Sequence, residues 1–251
     1  SYFDKTNDYP AGHREQDYFV TVQNCGVTLD ENGRKVLVTE DIRNGNGRTI
    51  KSRYSTPNRV DKIKEPIQSI FWIMKDDALP PLVKITDPRL ASILGCTLMT
   101  KRSTAENTGA GANLDALVIE PYANPFRVYP LVEDYEKFKA LFDKGVDCYI
   151  INTGDYLGKK VTKEVSLGVI ETVVDGKAHF ELFGGLPGME YLPVEGYEVP
   201  DMNGEYAELI RDRMQFRLDY LKAFNDANPE HQIPQDALES IKTIERFIDV
   251  L

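Results

Sequence analysis

The sequence predicts an α/β protein, a layered sheet with flanking helices and a helical C-terminus. Three observations carry that expectation. "IQSIFWIM" (67–74) and "VDCYIIN" (146–152) are unbroken apolar, β-rich runs of strand length, the pattern of buried strands. Residues 132–176 then read helix, strand, loop, helix, the alternation of a layered α/β sheet. Finally, 203–227 and 234–251 are long amphipathic segments with helical periodicity.

Taken in order, residues 1–17 are polar and aromatic with a Pro10-Ala11-Gly12 turn, and read as extended chain or loop. "DYFVTVQN" (17–24) and "RKVLVTE" (34–40) are β-rich, with a turn signal at Asp30-Glu31-Asn32-Gly33 between them. "RNGNGR" (43–48) is a glycine-bearing loop before a short strand at "TIKSR" (49–53). "DPRLASILG" (87–95) predicts a helix capped by Asp87, with Pro88 in its first turn and Gly95 at its end. Residues 100–115 form the longest loop-like stretch, and long loops in compact domains are usually functional or mobile. "VEDYEKFKALFDKG" (132–145) predicts a helix with Tyr135, Phe138, Leu141 and Phe142 inward and Gly145 ending it. "KEVSLGVIETVVDG" (163–176) predicts another, ending at Gly176. The last helix starts at Pro234 and sets Ala237, Leu238, Ile241, Ile244, Phe247, Ile248 and Leu251 on one stripe. Such a stripe covers the domain core or docks a partner; the core is the reading favoured here.

Composition narrows the class. With 41% hydrophobic and 28% charged residues, the chain is that of an ordinary globular protein. It contains neither a membrane-length apolar run nor a signal-peptide pattern. A net charge of −10 argues against nucleic-acid binding by the surface as a whole. Between residues 43 and 64 the sign reverses. Arg43, Arg48, Lys51, Arg53, Arg59, Lys62 and Lys64 stand against Asp61, a local net charge of +6. That segment is either an anion site or a run of solvated cations. Cys25, Cys96 and Cys148 are widely spaced, which fits a reduced, cytoplasmic protein without a disulfide framework. His13, His179 and His231 show no ligand spacing, so a metal held wholly by this chain is not expected. The first residue, Ser1, suggests a processed product or an excised fragment.

The stretch "CYIINTGDYLGKK" (148–160) has the outline of a phosphate loop: a strand, then glycines and lysines. It fails the strict pattern. A Walker A loop needs G-x-x-x-x-G-K-[ST], whose successive N–H groups wrap the phosphates while the hydroxyl holds Mg²⁺. Here Gly154 and Gly158 are one residue too close, and Lys160 stands in the hydroxyl position. In layered sheets, ligands sit outside the carboxyl ends of strands. Loops leave such ends after Met74, after Val118-Ile119 and after Ile151.

Five segments in one order then resemble a known family. "SRYSTP" (52–57), "SIFWIMKDDALPPLVKIT" (69–86), "LGCTLMTKRSTAE" (94–106), "PYANPFRVYP" (121–130) and "YIINTGDYLGKKVT" (149–162) resemble the C-terminal half of ATP-dependent phosphoenolpyruvate carboxykinase. The resemblance covers residues 50–175. It implies an α/β nucleotide-binding domain with the mixed β-sheet of that family's C-terminal domain, over residues 1–200, and a C-terminal helical pair, 201–251, packed on the same domain. The family decarboxylates oxaloacetate with phosphoryl transfer from ATP, using divalent metals.

By position, Arg53 matches the arginine that contacts the substrate's anionic end, a role suited to a permanently charged planar guanidinium. Otherwise it is a solvated strand residue. Asn152, Thr153 and Gly154 match the family's N-T-G. Lys160, Val161 and Ser166 match positions around the adenine ring, so that 152–166 is either a base-binding loop or an ordinary strand-to-helix turn. Several positions depart from the pattern: Asp155 replaces the tryptophan of N-T-G-W, Lys160 an arginine, and Tyr129-Pro130 the family's H-P. The family's phosphate loop and metal ligands precede the matching region, and residues 1–50 do not supply them. The resemblance therefore implies a C-terminal domain of a carboxykinase-like protein, with the N-terminal part of that protein as partner. Its ligands would be ATP or GTP with Mg²⁺ or Mn²⁺ and a small acid substrate. This chain alone is not expected to be active. Two alternatives stand beside it: a non-catalytic module of the same fold that binds proteins, and a carboxykinase-like kinase of another small acid.

Overall fold

The computed structural model describes residues 2–6, 13–23, 25–38, 47–55, 62–101, 116–124, 127 and 129–250. Arg43, Arg59, the 102–115 part of the long loop and Leu251 lie outside the described residues. The chain forms two compact units, Ser1–Pro66 with Arg102–Ala116 and Ile67–Lys101 with Leu117–Leu251.

The first unit carries β1 (Tyr2–Lys5), β2 (Phe19–Gln23), β3 (Gly26–Leu29), β4 (Lys35–Val38) and β5 (Arg48–Lys51). Strand β5 lies between β1 and β2, antiparallel to both. The turn at Asp30–Gly33 joins β3 to β4, and β2 pairs with the distant β5 instead of with β4. Asp30 closes that turn by accepting the Asn32 and Arg34 amides at 2.9 and 2.8 Å, while Gly33 supplies a φ of +74°. The Thr49 hydroxyl, buried on β5, donates to Thr21 O at 3.0 Å and ties β5 to β2.

The second unit carries β6 (Ser69–Met74), β7 (Leu82–Ile85), α1 (Pro88–Cys96), β8 (Met99–Lys101), β9 (Leu117–Ile119), α2 (Leu131–Phe142) and β10 (Asp147–Asn152). Then follow β11 (Asp155–Tyr156), β12 (Lys159–Lys160), α3 (Lys163–Val174), β13 (Glu181–Leu182), β14 (Met189–Tyr191), α4 (Gly204–Ala227) and α5 (Gln235–Ile248). Its five-stranded sheet runs β13-β14-β7-β10-β6. Strand β10 is parallel to β6 and antiparallel to β7, so the sheet is mixed. The expected α/β class, mixed sheet and helical C-terminus are all present. Strands β8 and β9 form a separate antiparallel pair, so the loop after Ile119 does not leave the main sheet.

The larger core gathers Trp72 and Met74 from β6 with side chains of α1, α2, α4 and α5. A smaller cluster of Leu82, Tyr149, Ile151 and Leu192 is covered by Val165, Val169, Ile170 and Val173 of α3. Ala237, Leu238, Ile241, Ile244 and Ile248 of α5 are all buried, as the stripe predicts. Each large aliphatic among them is worth about 1.5–3 kcal/mol of burial, which makes α5 part of the core.

Helix α1 starts as expected, with Asp87 accepting the Arg89 and Leu90 amides and Pro88 in the first turn. Gly95 does not end it; Cys96 does, with Thr97 as cap. The glycine is needed for room, since a Cβ there would stand 2.6 Å from the Tyr122 ring and 3.1 Å from Trp72. Strand β6, read as buried, is instead the end strand of the sheet, and Ile73 is 61% exposed. Among the described residues, no helix is long and apolar enough to cross a membrane.

Candidate functional site

Because β6 and β10 are parallel neighbours in register from Ser69↔Asp147 to Met74↔Asn152, their carboxyl ends fall side by side. The loop at Lys75-Asp76-Asp77 therefore meets the loop at Thr153-Gly154-Asp155. Thr153 N extends the ladder by donating to Met74 O at 2.9 Å. Gly154 suits the place where the loops touch: a Cβ there would lie a tight 3.1 Å from Lys75 Cβ and 3.3 Å from Lys75 Cα. Asn152 fastens the joint. Its amide donates to Asp76 O, Leu79 O and Asp155 O at 2.8, 2.6 and 2.9 Å, and its Oδ1 accepts the Gly154 amide at 2.9 Å. Asn152 is fully buried, so its polar atoms are spent within the protein.

Beyond Gly154 the chain makes a two-residue hairpin, which answers the phosphate-loop question. Asp155 pairs with Lys160 and Tyr156 with Lys159 across Leu157-Gly158. Those two turn residues have φ of 47° and 79°, the doubly positive pattern of a type I′ turn. Leu157 N donates to Asp77 O at 2.9 Å, and Val161 N to Gly154 O at 2.9 Å. No run of successive amides is left to wrap a phosphate. Lys160 Nζ donates back to Thr153 O at 3.3 Å, and Lys159 Nζ to Gly196 O. Thr162 then caps α3 by accepting Val165 N, and Ser166 Oγ returns a bond to Thr162 O at 3.0 Å. Glu164 occupies the start of α3, its carboxyl held below the usual range by its own backbone N–H and the Thr162 hydroxyl.

The segment 152–166 thus carries Asn152, Thr153, Gly154, Lys160, Val161 and Ser166 through the end of β10, the hairpin and the start of α3. Their exposure differs. Asn152, Gly154 and Val161 are buried, Thr153 and Ser166 half-buried, and Lys160 exposed. Lys101, at the end of β8, reaches Asp155 at 3.4 Å, and exposed Lys75 adjoins Gly154. Arg53 belongs to the first unit, in a 3₁₀ turn at Arg53–Ser55. Its guanidinium lies 5.2 Å from the Tyr54 ring centroid and donates to that hydroxyl at 3.3 Å.

One cluster is absent from the sequence reading. Asp76, 1% exposed, receives Arg217 Nη2 at 3.1 Å, Arg213 Nε at 3.1 Å and Ala78 N at 3.1 Å. Arg213 also grips Asp77 at 2.7 Å. Burial lowers the pKa of Arg217, against the pull of Asp76; for Arg213, burial is outweighed by the bonds to Asp77 and Asp76, which raise it. These pairs anchor α4 beneath the Lys75 loop. The available signal was an arginine at 217 on the buried stripe of Ile210, Met214, Leu218 and Leu221. Among the described residues, no three His, Cys, Asp or Glu side chains converge as metal ligands.

No family model matches this chain, and no curated protein matches it either.

Proposed function

We propose that this chain is the C-terminal domain of a phosphoenolpyruvate carboxykinase-like protein and supplies the nucleobase side of an ATP or GTP site. The observation that carries the proposal is the junction at Gly154, where the loops after parallel strands β6 and β10 meet. Open α/β sheets hold their ligands outside the carboxyl ends of strands, the end at which this junction lies. The junction also unites two of the five segments that resemble the family, "MKDDALPP" and "NTGDYLGKK". Lys160 would lie over the base and Ser166 at its edge, with Thr153 and Gly154 shaping the floor. Val161 would support this segment from beneath, since it is buried. Arg53 would serve the anionic end of a small acid substrate. The phosphate cradle and the divalent metal would come from the N-terminal part of the same cytoplasmic protein. Phosphoryl transfer depends on positioning and on metal-assisted charge neutralisation, so this part alone would bind without turnover.

A second reading rests on the ion pair between Lys101 and Asp155 and on Lys160 bonded to Thr153 O. Cations already satisfied within the protein suit a non-catalytic module of the same fold. Calorimetric titration with ATP and with GTP in Mg²⁺ separates the two. Saturable binding that Lys160→Ala removes supports the base site. Absence of binding both here and in a longer parent chain carrying the N-terminal part would leave the non-catalytic module. Arg53→Ala should spare nucleotide binding to this chain and weaken only a small dicarboxylate in the parent.

A further inference from the structure

We infer that Tyr197 is the positioning residue for the hairpin that carries Lys160, and so sets the affinity of the base side of the site; this rests on the nucleotide reading above. The hairpin is weak by itself. Its ladder has only two residue pairs, and Leu157 holds a φ of 47° that side-chain-bearing residues rarely adopt. Besides the bonds of Leu157 N to Asp77 O, of Asn152 to Asp155 O and of the Tyr156 hydroxyl to Tyr206, it is held by the turn at 196–198. The Tyr197 hydroxyl, on a side chain that is 6% exposed, donates to Lys160 O at 2.6 Å. The Lys159 ammonium sits 4.5 Å from the centroid of the Tyr197 ring and donates to Gly196 O. The Tyr156 hydroxyl reaches Glu198 O at 3.4 Å.

The clamp is itself braced. Gly196 has a φ of +78°, where a side chain would be strained, and a Cβ there would stand 2.7 Å from Lys159 Nζ and push the ammonium aside. Glu198 Oε1 accepts the Gly196 amide at 2.8 Å, and Tyr197 N donates to Val194 O at 2.9 Å. Three of the hairpin's four strand residues are therefore held by one turn, which grips Lys160 through its backbone carbonyl. Its amino group, on a 3.3 Å bond to Thr153 O, can be given up to a ligand while its Cα stays fixed. Tyr197 touches no reacting atom in this scheme; it acts through Lys160.

The test uses the full chain with Tyr197→Phe, which removes the hydroxyl and keeps the ring. Hydrogen exchange of the Leu157 and Val161 amides should quicken, while amides of α2 and α5 keep their protection. Affinity for MgATP should fall about threefold to tenfold, the loss of one hydrogen bond. In a Lys160→Ala background the same change should have no further effect on MgATP, which a merely structural role would not produce. Unchanged exchange at Leu157 and Val161 overturns the inference without reference to any ligand. Unchanged MgATP affinity, beside a Lys160→Ala variant that does lose it, overturns the inference and spares the base site. If the unmodified chain binds no nucleotide, alone or in the longer parent, the base site and this inference fall together.

Discussion

Replacing Asn152 is the perturbation whose cost the structure defines most closely. Its side chain serves three carbonyls and one amide at the junction of the β6 and β10 loops. In Asn152→Ala, Asp76 O keeps a bond from Leu79 N at 3.1 Å. Asp155 O, on a half-exposed residue, Leu79 O and the Gly154 amide all lose Asn152, and of these the last two belong to buried residues. An orphaned buried group costs about 1–3 kcal/mol, so two of them set the loss at about 2–6 kcal/mol, with about 4 kcal/mol as the central value. Asn152→Asp separates chemistry from volume. It is isosteric and still accepts from Gly154, but it donates nothing at neutral pH and sets a carboxylate against three carbonyl oxygens. It should therefore destabilise at least as much as alanine. Those carbonyls raise its folded-state pKa, so the deficit should be smallest in acid and grow as pH rises through that pKa. Urea denaturation followed by far-UV circular dichroism is the assay, since the five α-helices among the described residues belong to the second unit. An alanine variant within about 0.5 kcal/mol of the unmodified chain would refute the reasoning, because surface changes have that size.

Two further outcomes follow from local geometry. Burial pushes the Cys96 thiol up to about 12 from the ordinary value of 9.0. Its neutral form is thus favoured by folding, and that stability is complete below pH 9 and is lost as pH rises toward 12, on the order of 4 kcal/mol in all. Alkaline unfolding of Cys96→Ala should show a shallower slope across that interval, and an unchanged slope would assign it elsewhere. Leu157→Asn should raise the melting temperature by about 3 °C, worth about 1 kcal/mol, because asparagine tolerates the left-handed conformation that Leu157 holds. A scanning-calorimetry midpoint at or below that of the unmodified chain would contradict it.

What was legible in the sequence is what short-range pattern controls. The apolar runs at 67–74 and 146–152 became β6 and β10, and the stripe from Ala237 to Ile248 became the buried face of α5. Asp87 and Pro88 announced the start of α1 because a cap and a first-turn proline act within their own helix turn. Gly95 misled, since the same residue type serves helix ends and close packing, and Tyr122 and Trp72, both distant in the chain, decide between them. The hairpin at 155–160 was hidden because Leu-Gly is a poor turn signal and its support comes from the turn at Tyr197. The candidate-site residues from Asn152 to Ser166 are neighbours because one segment holds them, whereas Arg53 belongs to the first unit. Burial within that segment was not legible: nothing local says that Asn152 and Val161 point inward while Lys160 stays exposed. Arg217 was missed for a related reason, as its partner Asp76 lies in another element altogether.

Trp72 is the chain's single tryptophan, and it sits within the second unit against Tyr122, Phe138 and Phe142. Its emission therefore reports on that unit's helical layer. The thiols divide in the opposite sense: Cys96 and Cys148 are buried in the second unit, whereas Cys25, in the first, is half-exposed. A thiol-directed acceptor dye should thus attach at Cys25 in the native protein, leaving Trp72 as the donor. The unaltered sequence carries a matched optical pair, one member on each unit, for measuring the distance between them in solution.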